Sequence, residues 1–220
     1  MRVALVSDTD WRAAIARERR RGADLVCLPH LSFAPYFAAS RDRNGLELAE
    51  RAPSRAVREA VELAVGGWIT ASAYESEGEG VFYVTAYIAG PQATVATSRQ
   101  QAVEAGPGRY EQMFWSPGHA APVAVELPSG RAATLVGADL RAPVAWAAVA
   151  ALGVSYVLGG AGEPCELWRR TCRVAAGMAA AYGMTVLVAN RGDAGFAGGN
   201  AAFAPDGRAL QADDDGLYVV

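Results

Sequence analysis

The chain has 220 residues, of which 52% are hydrophobic and 20% are charged. This length and composition exclude a disordered or fibrous protein and favour one folded domain, residues 1–220. The formal net charge of −3 comes from 23 acidic and 20 basic residues, and every basic residue is Arg because the sequence contains no Lys. Chemistry that depends on a lysine amine is therefore excluded.

Neither end of this sequence carries a recognisable targeting signal. The first residues, MRVALVSD, lack the pattern of a signal peptide, and no apolar stretch is long enough to span a membrane. Cys27, Cys165 and Cys172 are odd in number and match no zinc or redox motif, so we expect reduced thiols in a cytoplasmic protein. The basic run RERRR at 17–21 is typical of a solvated helix face, and we expect no nucleic-acid partner and no membrane partner.

The N-terminal half alternates apolar segments with two polar helices. In chain order, the predicted elements are a buried strand at 2–7, a helix at about 10–20, a strand at 24–29, a helix from 54 to about 65, and strands at 68–74 and 81–90. Asp8 or Asp10 can cap the first helix and Ser54 the second. The turn ESEGEG joins the last two strands into an antiparallel hairpin. The stretch 98–120 that follows is predicted to be irregular.

The C-terminal half alternates strands and helices more regularly. Its predicted elements are strands at 121–127 and 132–140, a helix at 143–152, a strand at 154–160, a helix at 164–182, a strand at 184–190, and short strands within 203–210 and 216–220. Pro143 suits the first position of its helix. Because hairpins and β-α-β units occur together, we predict an α/β fold with two mixed sheets, each covered by helices on one face.

Three segments of the first 118 residues match a known family in order. The segments GADLVCLPHLSFAPYF (22–37), IAGPQATVATSRQ (88–100) and EQMFWSPG (111–118) resemble conserved strands and turns of the nitrilase (carbon-nitrogen hydrolase) superfamily. In that family the first segment ends in a Pro-Glu pair and the second in an Arg-Lys pair. The resemblance places His30 at the glutamate and Gln100 at the lysine, and it retains Glu111 as the auxiliary acid.

The resemblance continues through the second half of the chain. LVGADLRAP (135–143) is similar to the family's nucleophile strand, in which a Cys precedes an aromatic residue and then Asp-Leu-Arg-Phe-Pro. Gly137 falls on the Cys and Ala138 on the aromatic residue, while Asp139 and Arg141 keep the pattern. The segments 166–190 and 196–210 resemble the family's long helix, its strand ending in Ala-Asn and its final hairpin. The resemblance thus implies a four-layer α-β-β-α sandwich.

The resemblance also implies which chemistry is missing. Family members attack a nitrile or amide carbon with the Cys thiolate, while the Glu moves protons and the Lys stabilises the tetrahedral intermediate. His30 could shuttle a proton and Gln100 could donate a neutral hydrogen bond, but Gly137 has no side chain that could attack. We therefore expect a pseudoenzyme with no cofactor that binds a small molecule or acts as a partner subunit. The predicted pocket is lined by His30, Gln100, Glu111, Gly137, Ala138 and Asp139.

Several alternatives stay open at this point. Water activated by His30 with Glu111 would make the protein a divergent hydrolase of amide or related C–N bonds, and a purely structural subunit is a third class. Cys165, near a helix N-terminus, is the best candidate for a relocated nucleophile, although its neighbouring glutamates oppose a thiolate. The loop GGAGEP (159–164) lacks the spacing of a phosphate-binding loop. His30, His119 and Glu111 could form a metal site, but we expect no bound metal.

Two further expectations concern contacts. The resemblance implies that His30 and Glu111 converge, so we predict a charge-assisted pair that favours the protonated imidazole. The helix at 144–152 and the segment 174–182 are apolar on nearly every face, which favours a homo-oligomer. In the family the corresponding helices pack across a twofold axis, and this implies Trp146 and Trp168 as contact residues. Asp139 is expected to have a structural hydrogen-bonding role.

Overall fold

The computed structural model describes residues 1–91, 95–193 and 195–220. Its strands are β1 (Arg2–Leu5), β2 (Leu25–Cys27), β3 (Trp68–Gly78), β4 (Val81–Ala89), β5 (Val95–Arg99), β6 (Ala124–Leu127), β7 (Gly130–Val136), β8 (Tyr156–Ala161), β9 (Thr185–Asn190), β10 (Asn200–Phe203) and β11 (Tyr218–Val219). Its α-helices are α1 (Trp11–Arg20), α2 (Arg55–Leu63), α3 (Pro143–Ala150) and α4 (Cys165–Tyr182). No helix in the described ranges is long and apolar enough to cross a membrane.

The strands form two mixed sheets. The first sheet has the order β11-β1-β2-β3-β4-β5, with β1, β2 and β3 parallel and the other pairs antiparallel. The second sheet has the order β10-β9-β8-β7-β6, with β7, β8 and β9 parallel. The antiparallel pairing of β3 with β4 confirms the predicted hairpin.

Apolar side chains on both faces of each sheet hold four layers together. The helices α1 and α2 cover the first sheet, and α3 and α4 cover the second. The facing sides of the two sheets meet in a third apolar cluster that includes Val3, Leu25, Leu158 and Leu187. This arrangement confirms the α/β class and the four-layer α-β-β-α sandwich, since burial on both faces requires a layer on each side of a sheet.

Local sequence signals fix most helix ends. The side chain of Asp10 accepts a hydrogen bond from the N–H of Ala13, and Ser54 accepts one from Val57. Pro143 is the first residue of α3, as predicted. At the end of α4, Gly183 adopts the left-handed conformation with φ of 64°, which glycine tolerates because it lacks a Cβ atom.

One boundary prediction was wrong. The strand predicted at 132–140 ends at Val136, and a 3-10 helix occupies Gly137–Arg141. The cause is Gly137, whose φ of 55° lies outside the extended region and turns the chain away from the sheet. The predicted turn between β4 and β5 falls partly on 92–94, outside the described residues.

Candidate functional site

Three chain segments that leave the sheets bring the predicted site residues together. His30 follows β2, Gln100 follows β5 and Gly137 follows β7. The main-chain N–H of His30 donates to the carbonyl of Ala161 at 3.2 Å, which ties the end of the first sheet to the second. The side chains of His30 and Gln100 are each only 1% exposed. The site therefore lies inside the sandwich.

A hydroxyl group orients the imidazole of His30. The main-chain N–H of Leu31 donates to Ser72 Oγ at 2.8 Å, and Ser72 Oγ lies 3.3 Å from His30 Nδ1. The hydroxyl proton of Ser72 is free to donate to Nδ1, so the network assigns the neutral tautomer with its proton on Nε2. The opposite tautomer would leave both the hydroxyl proton and Nε2 without a partner. The exposed lone pair that a general base requires is therefore absent from this ring.

The electrostatic surroundings of His30 keep it neutral. Burial lowers the pKa of His30 to about 3, and the positive charges of Arg191, Arg109 and Arg141 lower it further. Arg191 also holds the loop after β2, because its Nη1 donates to the carbonyls of Leu31 at 2.9 Å and Ala34 at 3.1 Å. Leu31 itself has a φ of 52°, a strained value for a branched side chain.

The amide of Gln100 is fixed by two acceptors. Its Nε2 donates to the carbonyl of Ala102 at 2.6 Å and to Glu111 Oε2 at 3.2 Å. Both N–H groups are thereby used, and Oε1 points away from these partners. Gln100 consequently presents an acceptor to the site, whereas the sequence had suggested a donor.

Glu111 is fully buried and has three donors. Tyr36 Oη donates to its Oε1 at 2.8 Å, while Gln100 Nε2 and the N–H of Glu104 donate to its Oε2 at 3.2 and 3.0 Å. Burial raises the pKa of Glu111 above its usual value, and the hydrogen bonds from Glu104 and Tyr36 partly oppose this.

The predicted charge-assisted pair between His30 and Glu111 was wrong as a direct contact. Neither a hydrogen bond nor an ion pair joins the two described side chains, because His30 bonds to Ser72 and Glu111 bonds to Tyr36 and Gln100. The predicted protonated imidazole was wrong for the same reason, since burial without an adjacent carboxylate lowers the pKa of histidine.

Gly137 lies where His30 and Gln100 meet. A Cβ atom built on Gly137 would stand 3.1 Å from Gln100 Oε1, 3.1 Å from His30 Nε2 and 3.1 Å from His30 Cε1. Both polar atoms are buried and have no hydrogen-bond partner in the described residues. A donor on His30 and an acceptor on Gln100 thus converge on a position that a side chain at 137 would fill.

Asp139 stabilises the segment that carries Gln100. Its Oδ1 accepts hydrogen bonds from the main-chain N–H groups of Gln101 at 3.0 Å and Ala102 at 2.7 Å. Burial raises the pKa of Asp139 to about 7, although these two hydrogen bonds lower it. Ala138, next to it, is also buried. Both residues support the site from behind.

A second layer of charge surrounds the site. Glu163 is fully buried and accepts hydrogen bonds from Arg109 Nη2 at 2.8 Å and from Arg141 Nη1. Glu104 pairs with the same two arginines, at 2.8 Å to Arg109 and 2.7 Å to Arg141. The two carboxylates balance the two guanidinium groups, so neither arginine offers a free positive charge.

An open recess lies on the outer side of Tyr36. It has a volume of about 450 Å³, and its walls include Arg109, Leu167 and Phe196. The Tyr36 ring packs edge-on against Phe196 with centroids 5.7 Å apart, while its hydroxyl reaches inward to Glu111. Tyr36 therefore separates this recess from the buried site.

The other candidates of the sequence lie elsewhere. Cys165 is exposed at the first residue of α4, away from the buried set. Residues 159–161 belong to β8, and Glu163 binds arginines, so the loop GGAGEP has no free cradle for phosphate. Among the described residues, no group of three or more His, Cys, Asp or Glu side chains is placed to hold a metal ion.

Two participants escaped the sequence reasoning. Ser72 reaches His30 only because β2 and β3 are parallel neighbours, and Arg191 reaches the His30 loop across 160 residues of chain. Neither residue carries a local motif. The sole available signal was the polar Ser72 in an otherwise apolar strand, since a buried hydroxyl needs a partner.

Comparison with known proteins gives a consistent assignment. Residues 9–217 match the sequence model of the carbon-nitrogen hydrolase family. The fold is similar to a carbon-nitrogen hydrolase from Helicobacter pylori G27, with a TM-score of 0.81, 17% identity and coverage of 100% of this chain and 86% of that chain. It is also similar to a mutant of Nesterenkonia AN1 amidase from the nitrilase superfamily, with a TM-score of 0.81, 22% identity and coverage of 96% of this chain and 86% of that chain. No curated protein sequence matches the chain.

Proposed function

The chain belongs to the carbon-nitrogen hydrolase family, and from this premise we propose that it is a non-catalytic member that binds a small molecule or serves as a partner subunit. In this proposal His30, Gln100 and Gly137 stand at the positions of the family's Glu, Lys and Cys. The observation that carries the proposal is the convergence of His30 Nε2 and Gln100 Oε1 on Gly137, a residue without a side chain.

Each role of the family mechanism lacks its group here. Gly137 supplies no nucleophile. His30 is neutral, carries its proton on the nitrogen that faces the site, and has a pKa lowered to about 3, so it is a poor general base. Gln100 turns a carbonyl oxygen toward the position where an oxyanion would need donors. These three features also disfavour the alternative of a hydrolase that activates water through His30.

The test is turnover of a panel of simple amides, including acetamide and acrylamide, followed as ammonia release. An Nesterenkonia amidase has been crystallised with acrylamide, which makes this compound a suitable family probe. We expect no release above the buffer background. Turnover that disappears in His30→Ala but persists in the surface control His119→Ala would overturn the proposal and establish the hydrolase.

Ligand binding is supported by the recess outside Tyr36. Its volume of about 450 Å³ and its aromatic and guanidinium walls suit a small, flat molecule. A compound that binds there should raise the melting temperature of the wild-type protein and of Tyr182→Ala, but not of Phe196→Ala. If every stabilising compound acts equally on all three proteins, the recess is not the binding site.

The partner-subunit role is supported by α3. Val144 is 70% exposed on this apolar helix, and such a surface favours a covered face. Trp146 was wrongly named as a contact residue, because it is fully buried and its indole N–H donates to the carbonyl of Leu140 at 3.1 Å. Trp168 is half-buried and keeps its candidacy. We propose a homo-oligomer in the cytoplasm, built through the outer faces of α3 and α4.

A further inference from the structure

An interruption in the first sheet leaves part of β3 without a neighbour. The strand β2 pairs with β3 only as far as Cys27 and Thr70, and the next contact on that edge is the isolated bridge between Glu50 and Glu75. The flanking hydrogen bonds run from Leu28 N to Thr70 O at 2.9 Å and from Glu50 N to Tyr74 O at 3.3 Å. One strand position, at Ser72, remains open between them.

The main chain of Ser72 faces this opening. Alternate residues of a strand turn their N–H and C=O groups to the same side, and the carbonyls of Thr70 and Tyr74 are both used on the open side. The N–H and C=O of Ser72 and the N–H of Tyr74 therefore point into the gap. In the described parts of the chain, no main-chain or side-chain group bonds to these three. Buried main-chain groups of this kind require a partner.

A cavity of about 210 Å³ occupies the same gap. We call it the edge pocket. Leu31, Phe33 and Ala56 give it apolar walls, while Glu47 and Glu50 stand at its exposed rim, and no basic side chain lines it. The chemistry is thus an apolar body with unpaired main-chain donors and acceptors on the floor and negative charge at the mouth.

We propose that the edge pocket binds a small apolar molecule that carries a primary ammonium group beside an amide carbonyl, as in an amino-acid amide. The ammonium donates to the carbonyl of Ser72 and to the carboxylates of Glu47 and Glu50. The ligand carbonyl accepts from the N–H of Ser72 or Tyr74, and the apolar body packs against Phe33. All of the unpaired groups on the floor then have partners.

The size and charge of the pocket select this class over others. Its volume equals that of about seven liquid water molecules at roughly 30 Å³ each, which suits a ligand of similar size with one end in solvent. An anion would meet the two carboxylates without any compensating cation. A purely apolar ligand would leave the Ser72 main chain dry and unpaired, which is costly.

The edge pocket is separate from the site at Gly137. The hydroxyl of Ser72 points to His30, whereas its main chain points to the gap. Occupation of the edge pocket consequently needs no change at Gln100 or Gly137, and its test is independent of amide turnover.

The test is a titration of the full chain with L-leucinamide, followed by the main-chain amide resonances of Ser72 and Tyr74 in two-dimensional ¹H–¹⁵N NMR. We expect saturable shifts centred on these residues. The matched compound 4-methylpentanamide has the same body and carbonyl but lacks the ammonium. It should bind about tenfold more weakly, because it forgoes two rim contacts of up to roughly 1 kcal/mol each.

Two variants assign the interaction to the pocket. The double variant Glu47→Gln/Glu50→Gln should weaken leucinamide binding about tenfold, and Ala56→Leu should abolish it by filling the cavity. The control Glu62→Gln removes an exposed acid of α2 that does not line the pocket, and it should bind like wild type. Leucinamide that shifts other resonances only, or binds no better than 4-methylpentanamide to the wild-type protein, overturns the proposal without reliance on any variant.

Discussion

Replacing Gly137 by Cys restores the atom that the family mechanism uses as nucleophile, and we expect it to destabilise the protein without creating an amidase. The new Cβ would meet Gln100 Oε1, His30 Nε2 and His30 Cε1 at 3.1 Å, which is closer than ordinary van der Waals contact. The backbone φ of 55° adds strain for any residue with a Cβ atom.

The magnitude follows from these two costs. A left-handed backbone costs about 1–2 kcal/mol for a non-glycine residue, and overpacking a buried site costs about 1–3 kcal/mol. The free energy of unfolding should therefore fall by about 2–4 kcal/mol, which lowers the melting temperature by roughly 5–12 °C in a chain of this size. Gly137→Ala should show the same loss, because the clash belongs to Cβ and not to the thiol.

The thiol would also lack its assistants. His30 is neutral with a pKa of about 3, and no lysine exists to stabilise an oxyanion. Groups that act as a unit lose nearly all activity when one is absent. Intact-protein mass spectrometry after incubation with p-nitrophenyl acetate should show no acyl adduct on Gly137→Cys beyond that on Gly137→Ala, which retains the exposed Cys165. An acetyl group mapped to residue 137, together with ammonia release from acetamide, would refute this reasoning.

Three more predictions concern protonation and assembly. His30 should stay neutral, with its proton on Nε2, from pH 8 down to below pH 5, because its pKa is lowered to about 3; a ¹⁵N ring spectrum that shows titration of His30 near pH 6.5 would contradict this, and Ser72→Ala should perturb the Nδ1 resonance. Asp139 has a pKa raised to about 7 by burial, so the native state holds a proton that the unfolded state has lost between about pH 4 and 7. Its stabilising contribution is complete below about pH 4 and is lost as the pH rises to 7. Denaturation at pH 5 and pH 8 should thus show wild type losing up to about 3 kcal/mol relative to Asp139→Asn; parallel behaviour of the two proteins would count against a protonated Asp139. Finally, sedimentation should give a mass of at least twice the 23.0 kDa of the chain, and Val144→Glu should shift it to the monomer, whereas the exposed control Val65→Glu should not.

The sequence by itself determined the layered fold and the positions of the site. Helix ends at Asp10, Ser54 and Pro143 follow from local hydrogen-bonding and backbone preferences, and apolar periodicity located most strands. The order of short motifs around 30, 100 and 137 was sufficient to predict that these residues meet. Such features depend on neighbours within a few residues, and they are therefore legible in the chain.

Only the tertiary structure decided what the site residues do. A histidine beside an acid at the end of a strand predicted an ion pair, yet His30 bonds to Ser72 and stays neutral because burial, not an adjacent carboxylate, sets its pKa. The orientation of Gln100 depends on Ala102 and Glu111, which no local pattern announces. The open strand position at Ser72 likewise exists only because β2 stops before β3 does. Protonation, amide orientation and strand gaps are set by partners brought from distant parts of the chain, and sequence spacing carries no record of their geometry.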